Sequence, residues 1–189
     1  MKLPIPVHVQ YRHVHLSVTD RESLFGSEKL TKRSELAHRG QFVTDQTVRV
    51  VGPNGVELEE VRVLGPERDE SQLELSPTEA FALGIDAPVR LSGDLSRTGS
   101  CELIGSKGKV TVKSGVIIPA RHLHCNEREA ARLGVEHHQL VTLAPVGHPE
   151  TTIELVSVRV HPTFALSLHI SHDEASEFWV ETGDEVILL

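Results

Sequence analysis

The sequence predicts a mainly β protein of two tandem small β-barrels related by internal duplication, each carrying a short capped helix. Four observations predict it. Arg12-His13-Val14-His15-Leu16 returns as Arg121-His122-Leu123-His124-Cys125. A strand running into a helix start is also written twice, since Gln72-Leu73-Glu74-Leu75-Ser76-Pro77-Thr78-Glu79-Ala80 lines up with Ser167-Leu168-His169-Ile170-Ser171-His172-Asp173-Glu174-Ala175. Val61-Arg62-Val63 is likewise matched to Val158-Arg159-Val160. Finally, short alternating segments with long connections, rather than βαβ alternation, favour barrels over a doubly wound sheet.

In chain order, Val7 to Tyr11 reads as a β-like run leading into the first His pair. Ser17 to Asp20 is polar, and Arg21 to Leu30 reads as a loop holding the apolar plug Leu24-Phe25-Gly26. Leu30 to Leu36 suggests one helical turn. Phe42 to Val51 and Val56 to Leu64 read as strands around the Gly52-Pro53-Asn54-Gly55 turn, closed by a second turn at Gly65-Pro66. Gln72 to Leu75 alternates as a strand and meets Ser76-Pro77-Thr78-Glu79, a capping box with Pro at the first helical position. Val89 to Gly93 starts another strand. Ser100 to Ile104 and Lys109 to Lys113 form a hairpin, and Val116 to Ala120 leads into the second His pair. A helix over 127–133, capped by Asn126-Glu127-Arg128-Glu129, follows, then strands at 140–144, 153–160 and 166–170. Ser171-His172-Asp173-Glu174 opens a helix to about Val180, and 185–189 is the last strand.

Composition bounds the functions open to this chain. With 39% hydrophobic and 24% charged residues over 189 positions, it has the balance of a globular protein with a real core. Seven aromatic residues (five Phe, one Trp, one Tyr) leave Val, Leu and Ile to fill that core. A net charge of −8 with no basic run argues against nucleic acid as a partner, so an anionic substrate must be held by a few placed arginines. Cys101 and Cys125 do not make a disulfide framework. Cys125 adjoins the second His pair, but strand alternation turns it to the opposite face, as packing. No apolar run approaches membrane-spanning length and no signal segment is read at the start, so the expectation is a cytoplasmic protein with no membrane partner.

The His-x-His pairs carry the chemistry. Alternate residues of a strand share a face at about 6.6–6.8 Å, so each pair offers two neutral nitrogens to a borderline-soft cation such as Zn²⁺. That face is expected to be continuous with Val7, Val9 and Tyr11 in the first copy and with Val116, Ile118 and Ala120 in the second. Glu74 and His169 fall at equivalent positions just before the capped helices. A carboxylate and an imidazole exchanging there are what two related metal sites would show. Ligand count then predicts about two zinc ions per chain. His8, His38, His137, His138, His148 and His161 are expected at the surface, and so is His172.

Assembled, these residues resemble the PduL-type phosphotransacylases, the phosphate propanoyltransferase family. The resemblance runs over nearly the whole chain. It rests on the two Arg-His-x-His copies, Leu24-Phe25-Gly26, Gly40-Gln41-Phe42, Val61-Arg62-Val63-Leu64-Gly65-Pro66-Glu67-Arg68 and Glu74-Leu75-Ser76. It continues through Pro88-Val89-Arg90-Leu91-Ser92-Gly93-Asp94 and through His169-Ile170 with Asp173-Glu174-Ala175.

What the resemblance implies is two β-barrels with a two-zinc site between them, spanning 12–120 and 121–189. The C-terminal part is short for a barrel, and strand 1–11 is expected to complete it. His13, His15, Glu74, His122, His124 and His169 are implied as the metal ligands. Arg68 matches the arginine that binds phosphate, and Arg90 stands evenly between a substrate contact and a solvated arginine. Val9, Gln10, Tyr11, Asn54 and Arg62 fall where the family contacts coenzyme A. Departures from the family pattern occur at Gln10-Tyr11, Asn54, Ser171-His172 and Ser176, all at cofactor-contact positions. An N-terminal encapsulation helix, frequent in members housed in microcompartments, is not read here, and association with such a compartment stays open. A homo-oligomer is equally open.

The implied reaction is reversible transfer of a short acyl group, propanoyl or acetyl, between coenzyme A and phosphate. Neither a Gly-x-Ser-x-Gly elbow nor a placed cysteine nucleophile is present, which disfavours a covalent acyl-enzyme. Two alternatives stay beside this reading: a dizinc thioester hydrolase, and a non-catalytic zinc-stabilised binding module.

Overall fold

A computed structural model describes residues 3–36 and 40–189; His38 lies outside these residues. The chain divides into two compact units, one holding Arg12–Leu36 with Gly40–Pro119, the other holding the N-terminal segment through Tyr11 with Ala120–Leu189.

The first unit contains β2 (His13–Ser17), α1 (Val18–Phe25), β3 (Lys32–Glu35), β4 (Phe42–Val51), β5 (Glu57–Arg68) and β6 (Gln72–Glu74). It continues with α2 (Pro77–Ala82), β7 (Val89–Arg90), β8 (Gly99–Ile104) and β9 (Lys109–Pro119). β8 pairs with both β4 and β9, so the strands β4-β5-β2-β6-β9-β8 close into a six-stranded ring. Alternation fills it. Val14 and Leu16 of β2, Val61 and Val63 of β5, Leu73 beside Leu75, and Leu103 point into one core. Each such side chain contributes about 1.5–3 kcal/mol by leaving water. At Gly65, across from Phe42, a Cβ would sit 2.2 Å from the Phe42 ring, so the glycine leaves the space in which that ring lies over β5.

The second unit contains β1 (Ile5–Gln10), β10 (His122–Cys125), α3 (Glu127–Leu133), β11 (Leu140–Pro145), β12 (Ile153–Val160), β13 (Ser167–Ser171), α4 (His172–Phe178) and β14 (Glu185–Leu188). Its strands close in the order β1-β13-β10-β12-β11-β14. Ile5, Val7, Leu123, Leu143, Ile153, Val158, Leu168 and Val186 fill the core, with Cys125 among them.

Strand for strand the two rings have one topology. β2 lies parallel to β5 and antiparallel to β6, as β10 does to β12 and β13. β9 lies parallel to β6, as β1 does to β13. The strand before each His-x-His strand therefore closes the other unit's ring: β1 precedes β2 in the chain but belongs with β13, and β9 precedes β10 but belongs with β6.

This exchange corrects the expected continuous face. Val7 and Val9 are core residues of one unit, whereas His13 and His15 belong to the other, with the chain leaving strand geometry at Tyr11-Arg12 between them. The same break separates Ile118 from His122. The Val-Arg-Val match is also displaced by two residues. Arg62 pairs across from His13, but Arg159 pairs across from His124, so Ser157, opposite His122, is the register equivalent of Arg62.

Three local expectations are overturned. The stretch expected to be polar and then loop is the helix α1, started by Ser17, whose hydroxyl accepts from Asp20 N at 3.1 Å; Leu24 and Phe25 are its buried face. The expected helical turn near Leu30 is β3, an exposed edge strand paired with β4. Gly65-Pro66 is not a turn, since β5 runs on through it to Arg68. The three capped helices α2, α3 and α4 form as expected, each with a reciprocal capping box. Among the described residues no helix is long and apolar enough to cross a membrane.

Candidate metal centres

In the first unit, Val14 and Leu16 commit one face of β2 to the core, which turns His13 and His15 to the other. β6 does the same with Leu73, and the antiparallel register sets Glu74 opposite His13 and Gln72 opposite His15. All three candidate ligands are nonetheless buried, with exposures of 9%, 2% and 4% for His13, His15 and Glu74. Glu74 Oε2 lies 3.5 Å from His13 Nε2, and the two imidazoles meet edge to face with centroids 5.3 Å apart. One donor atom from each of the three lies within 4.8 Å of the others.

Arg68, at the end of β5, enters this group directly. Its Nη2 is 2.8 Å from His15 Nε2 and its Nη1 donates to Ser92 Oγ at 3.1 Å. A guanidinium only donates, so His15 Nε2 carries the lone pair. Burial, then the His13 and Arg68 charges, pull the His15 pKa down to about 2. The imidazole is therefore neutral at physiological pH, the form that binds metal.

The second unit repeats the construction with an imidazole in place of the carboxylate. His122 and His124 flank the core residue Leu123 on β10, and His169 pairs across from His122. Donor atoms of the three again lie within 4.8 Å of one another, and all three residues are buried. The rings of His122 and His169 stack at 5.1 Å, with His124 4.5 Å and 4.6 Å from them. His122 Nδ1 meets Ala120 O at 2.8 Å. A carbonyl only accepts, so Nδ1 bears the proton and Nε2 presents its lone pair. Ser167 Oγ meets His169 Nε2 at 2.8 Å.

Both donor sets suit zinc. Three imidazoles, or two imidazoles and a carboxylate, are the three-ligand sets that leave a fourth position for water or substrate. Tetrahedral ligands at the usual zinc distances are about 3.4 Å apart, and the His13–Glu74 pair already stands at that separation. Cys125 belongs to neither cluster. It is a core residue whose thiol burial pushes up to about 11.

The other residues singled out from sequence are more dispersed. Arg62 lies across from His13 and donates to the carbonyls of Thr44 and Asp45 at 3.3 Å. Arg90 pairs with Asp94 at 3.5 Å and with its neighbour's carbonyl. Asn54 ties its own turn, donating to Ala82 O and accepting from Val56 N. In the second unit the Val9 side chain is spent in the core, so only its backbone can face a ligand. Gln10 pairs with Ser171, Tyr11 is exposed with its ring 6.1 Å from that of His172, and Ser176 Oγ donates to His172 O.

Several neighbours of the clusters escaped the sequence reading. His8 is exposed, as expected, yet its ring lies 4.9 Å from that of His169, and Phe164 lies 3.9 Å from that of His124. Gln72 donates to Glu74 Oε1 at 2.5 Å. Gln72 and Ser167 stand two residues before the third ligand of each cluster, a position that strand alternation marks as sharing its face. The arginines of the repeated motif also take equivalent partners: Arg12 pairs with Glu79 at 2.7 Å and Arg121 with Glu174 at 2.9 Å. Each of those glutamates completes the capping box that follows a third ligand.

Fold and site together define a duplicated double-barrel protein with two buried three-residue clusters that could hold a metal, one all-imidazole and one with a carboxylate. A family model described as phosphate propanoyltransferase matches residues 6–181. The phosphate propanoyltransferase of Priestia megaterium is 43% identical over 97% of this chain and 85% of its own length. That of Thermotoga maritima is 43% identical over 98% and 89%, and that of Salmonella typhimurium 41% over 92% and 82%. The chain belongs to the phosphate propanoyltransferase family, and it is an acyltransferase.

Proposed function

We propose that the chain reversibly transfers a short acyl group, propanoyl or acetyl, between coenzyme A and phosphate, giving acyl phosphate and free coenzyme A from acyl-CoA. The observation that carries this is Arg68, whose guanidinium places Nη2 2.8 Å from the buried candidate metal ligand His15 and Nη1 on Ser92 Oγ beside the cluster. In the forward direction a phosphate oxygen bonds to the thioester carbonyl carbon, the carbon–sulfur bond breaks, and the thiolate leaves. His13, His15 and Glu74 hold one zinc ion in this reading, and His122, His124 and His169 hold the other. When bound, zinc supplies Lewis acidity for the carbonyl oxygen and the departing thiolate.

Arg68 holds the attacking phosphate, because its planar fork matches two phosphate oxygens at once. To do so it exchanges its contact with His15 for the anion, freeing the imidazole for metal. Arg90, the last residue of β7 and two positions before Ser92, is a second anion contact. Val9, Gln10, Tyr11, Asn54, Arg62 and Ser176 contact coenzyme A, Val9 through its backbone. No protein nucleophile is needed, and the two cysteines are poor candidates: burial pushes Cys101 up to about 12 and Cys125 up to about 11.

The test is thiol release from acetyl-, propionyl- and butyryl-CoA, with and without phosphate, on protein whose zinc content has been measured. Phosphate-dependent release fastest with a short acyl chain is expected. Release that ignores phosphate would identify a thioester hydrolase, and no release a binding module.

A further inference from the structure

Gln72 is a buried polar side chain, only 1% exposed, and its amide makes three hydrogen bonds. Its Oε1 accepts from Gly93 N at 2.8 Å. A backbone N–H only donates, so this bond fixes which end of the amide is oxygen. Nε2 must then face the other way, where it donates to Glu74 Oε1 at 2.5 Å and to Ser92 Oγ at 2.8 Å. Ser92 Oγ accepts a second time, from Arg68 Nη1 at 3.1 Å. The result is one unbroken chain: Arg68 to Ser92, Ser92 to Gln72, Gln72 to Glu74.

We propose that Gln72 is a positioning residue that fixes the Glu74 carboxylate for metal and, through Ser92, sets the Arg68 guanidinium for phosphate. This rests on the metal-site reading above. By occupying Oε1, Gln72 leaves Oε2 as the oxygen turned to His13, so the carboxylate presents one oxygen in one orientation. Such outer hydrogen bonds hold ligand geometry, and removing one typically weakens metal binding about ten- to hundredfold. The duplication supports the assignment. Ser167, at the same register position in the other barrel, hydrogen-bonds the third ligand His169 in the same i−2 relationship. In the first copy the network also branches to an arginine, through Ser92, and so joins a candidate metal ligand to an anion-binding group.

The experiment compares Gln72→Met, Glu74→Gln and the double variant with the parent, measuring zinc affinity by chelator competition and the phosphate concentration at half-maximal rate. Gln72→Met should weaken one of the two zinc ions about tenfold or more and raise the phosphate requirement. If Gln72 acts through Glu74, the double variant should bind zinc no worse than Glu74→Gln alone. A merely structural role would instead give additive losses, and unchanged zinc affinity in Gln72→Met would likewise overturn the proposal. Should Gln72→Met fail to fold, Ser92→Ala tests the second arm: phosphate requirement raised, zinc affinity kept. An unchanged phosphate dependence in that variant overturns the link to Arg68. A parent protein that takes up no zinc refutes the metal reading itself, and this inference with it.

Discussion

Glu74 and His169 occupy one register position in two separate ladders: Glu74 directly across from His13, His169 directly across from His122. In each ladder the next residue inward is a fully buried leucine pair partner, Leu73 opposite Val14 and Leu168 opposite Leu123. The core side of each ladder thus sets the orientation of the ligands on its other side. The equivalence makes position 74 testable as a ligand position. Glu74→Gln keeps the shape but removes the charge, and should lower zinc affinity while leaving the fold intact. Glu74→His turns the first cluster into the composition of the second and should retain more zinc than Glu74→Ala. Equal zinc content across the three variants and the parent would mark Glu74 as a structural strand residue.

His15→Ala and His124→Ala strike different clusters. Each should lose about one zinc ion per chain and with it most of the transferase rate, because two remaining protein ligands bind zinc far more weakly than three. Elemental analysis of the purified variants reads this directly. Full zinc and full rate in both would remove the assignment.

Arg68→Ala should leave zinc content unchanged and raise the phosphate concentration needed for half-maximal rate by at least tenfold, the loss of one charge-assisted contact of about 1.5–3 kcal/mol. Arg68→Lys should recover only part of it, since an ammonium cannot offer two parallel donors. Steady-state rates over a phosphate series separate the three proteins. An unchanged phosphate dependence in Arg68→Ala would place the anion elsewhere.

The thiols give a pH prediction. With Cys125 near 11 and Cys101 near 12, both stay protonated from pH 6 to 9, and folding holds them in the two cores. Depressed reactivity follows, because the thiolate is the reacting form. Native protein should therefore resist iodoacetamide at pH 8 and keep its activity, whereas unfolded protein should take up two labels. Rapid labelling with loss of activity would reopen a cysteine nucleophile.

Much of this molecule was legible in the sequence, for identifiable reasons. The capping boxes at Ser76, Asn126 and Ser171 announced three helices, because that reciprocal pairing needs specific residues at fixed spacing. The duplicated strand around Glu74 and His169 was read in its true register. The exchange of β1 and β9 between rings was only half visible. The shortness of the C-terminal part pointed to β1, but nothing in the run Val116 to Ala120 says that its strand closes a different ring from His122. β3 was unreadable because Lys32-Arg33-Ser34-Glu35 is wholly exposed and buries no patterned face. α1 was obscured by Val18 and Thr19, weak helix formers, although the Ser17 cap was in plain sight. Gln72 passed as an ordinary polar strand residue, since burial and partner identity come only from the packed fold.

The central claim is acyl transfer to phosphate at a zinc-bearing site, and product identity tests it most directly. Zinc-loaded protein is given propionyl-CoA and phosphate, and acyl phosphate is trapped as the hydroxamate while free thiol is counted in the same samples. The account predicts one hydroxamate per thiol released, with both lost when zinc is removed and both restored when it returns. Thiol appearing without hydroxamate, or at an equal rate in zinc-free protein, would contradict it.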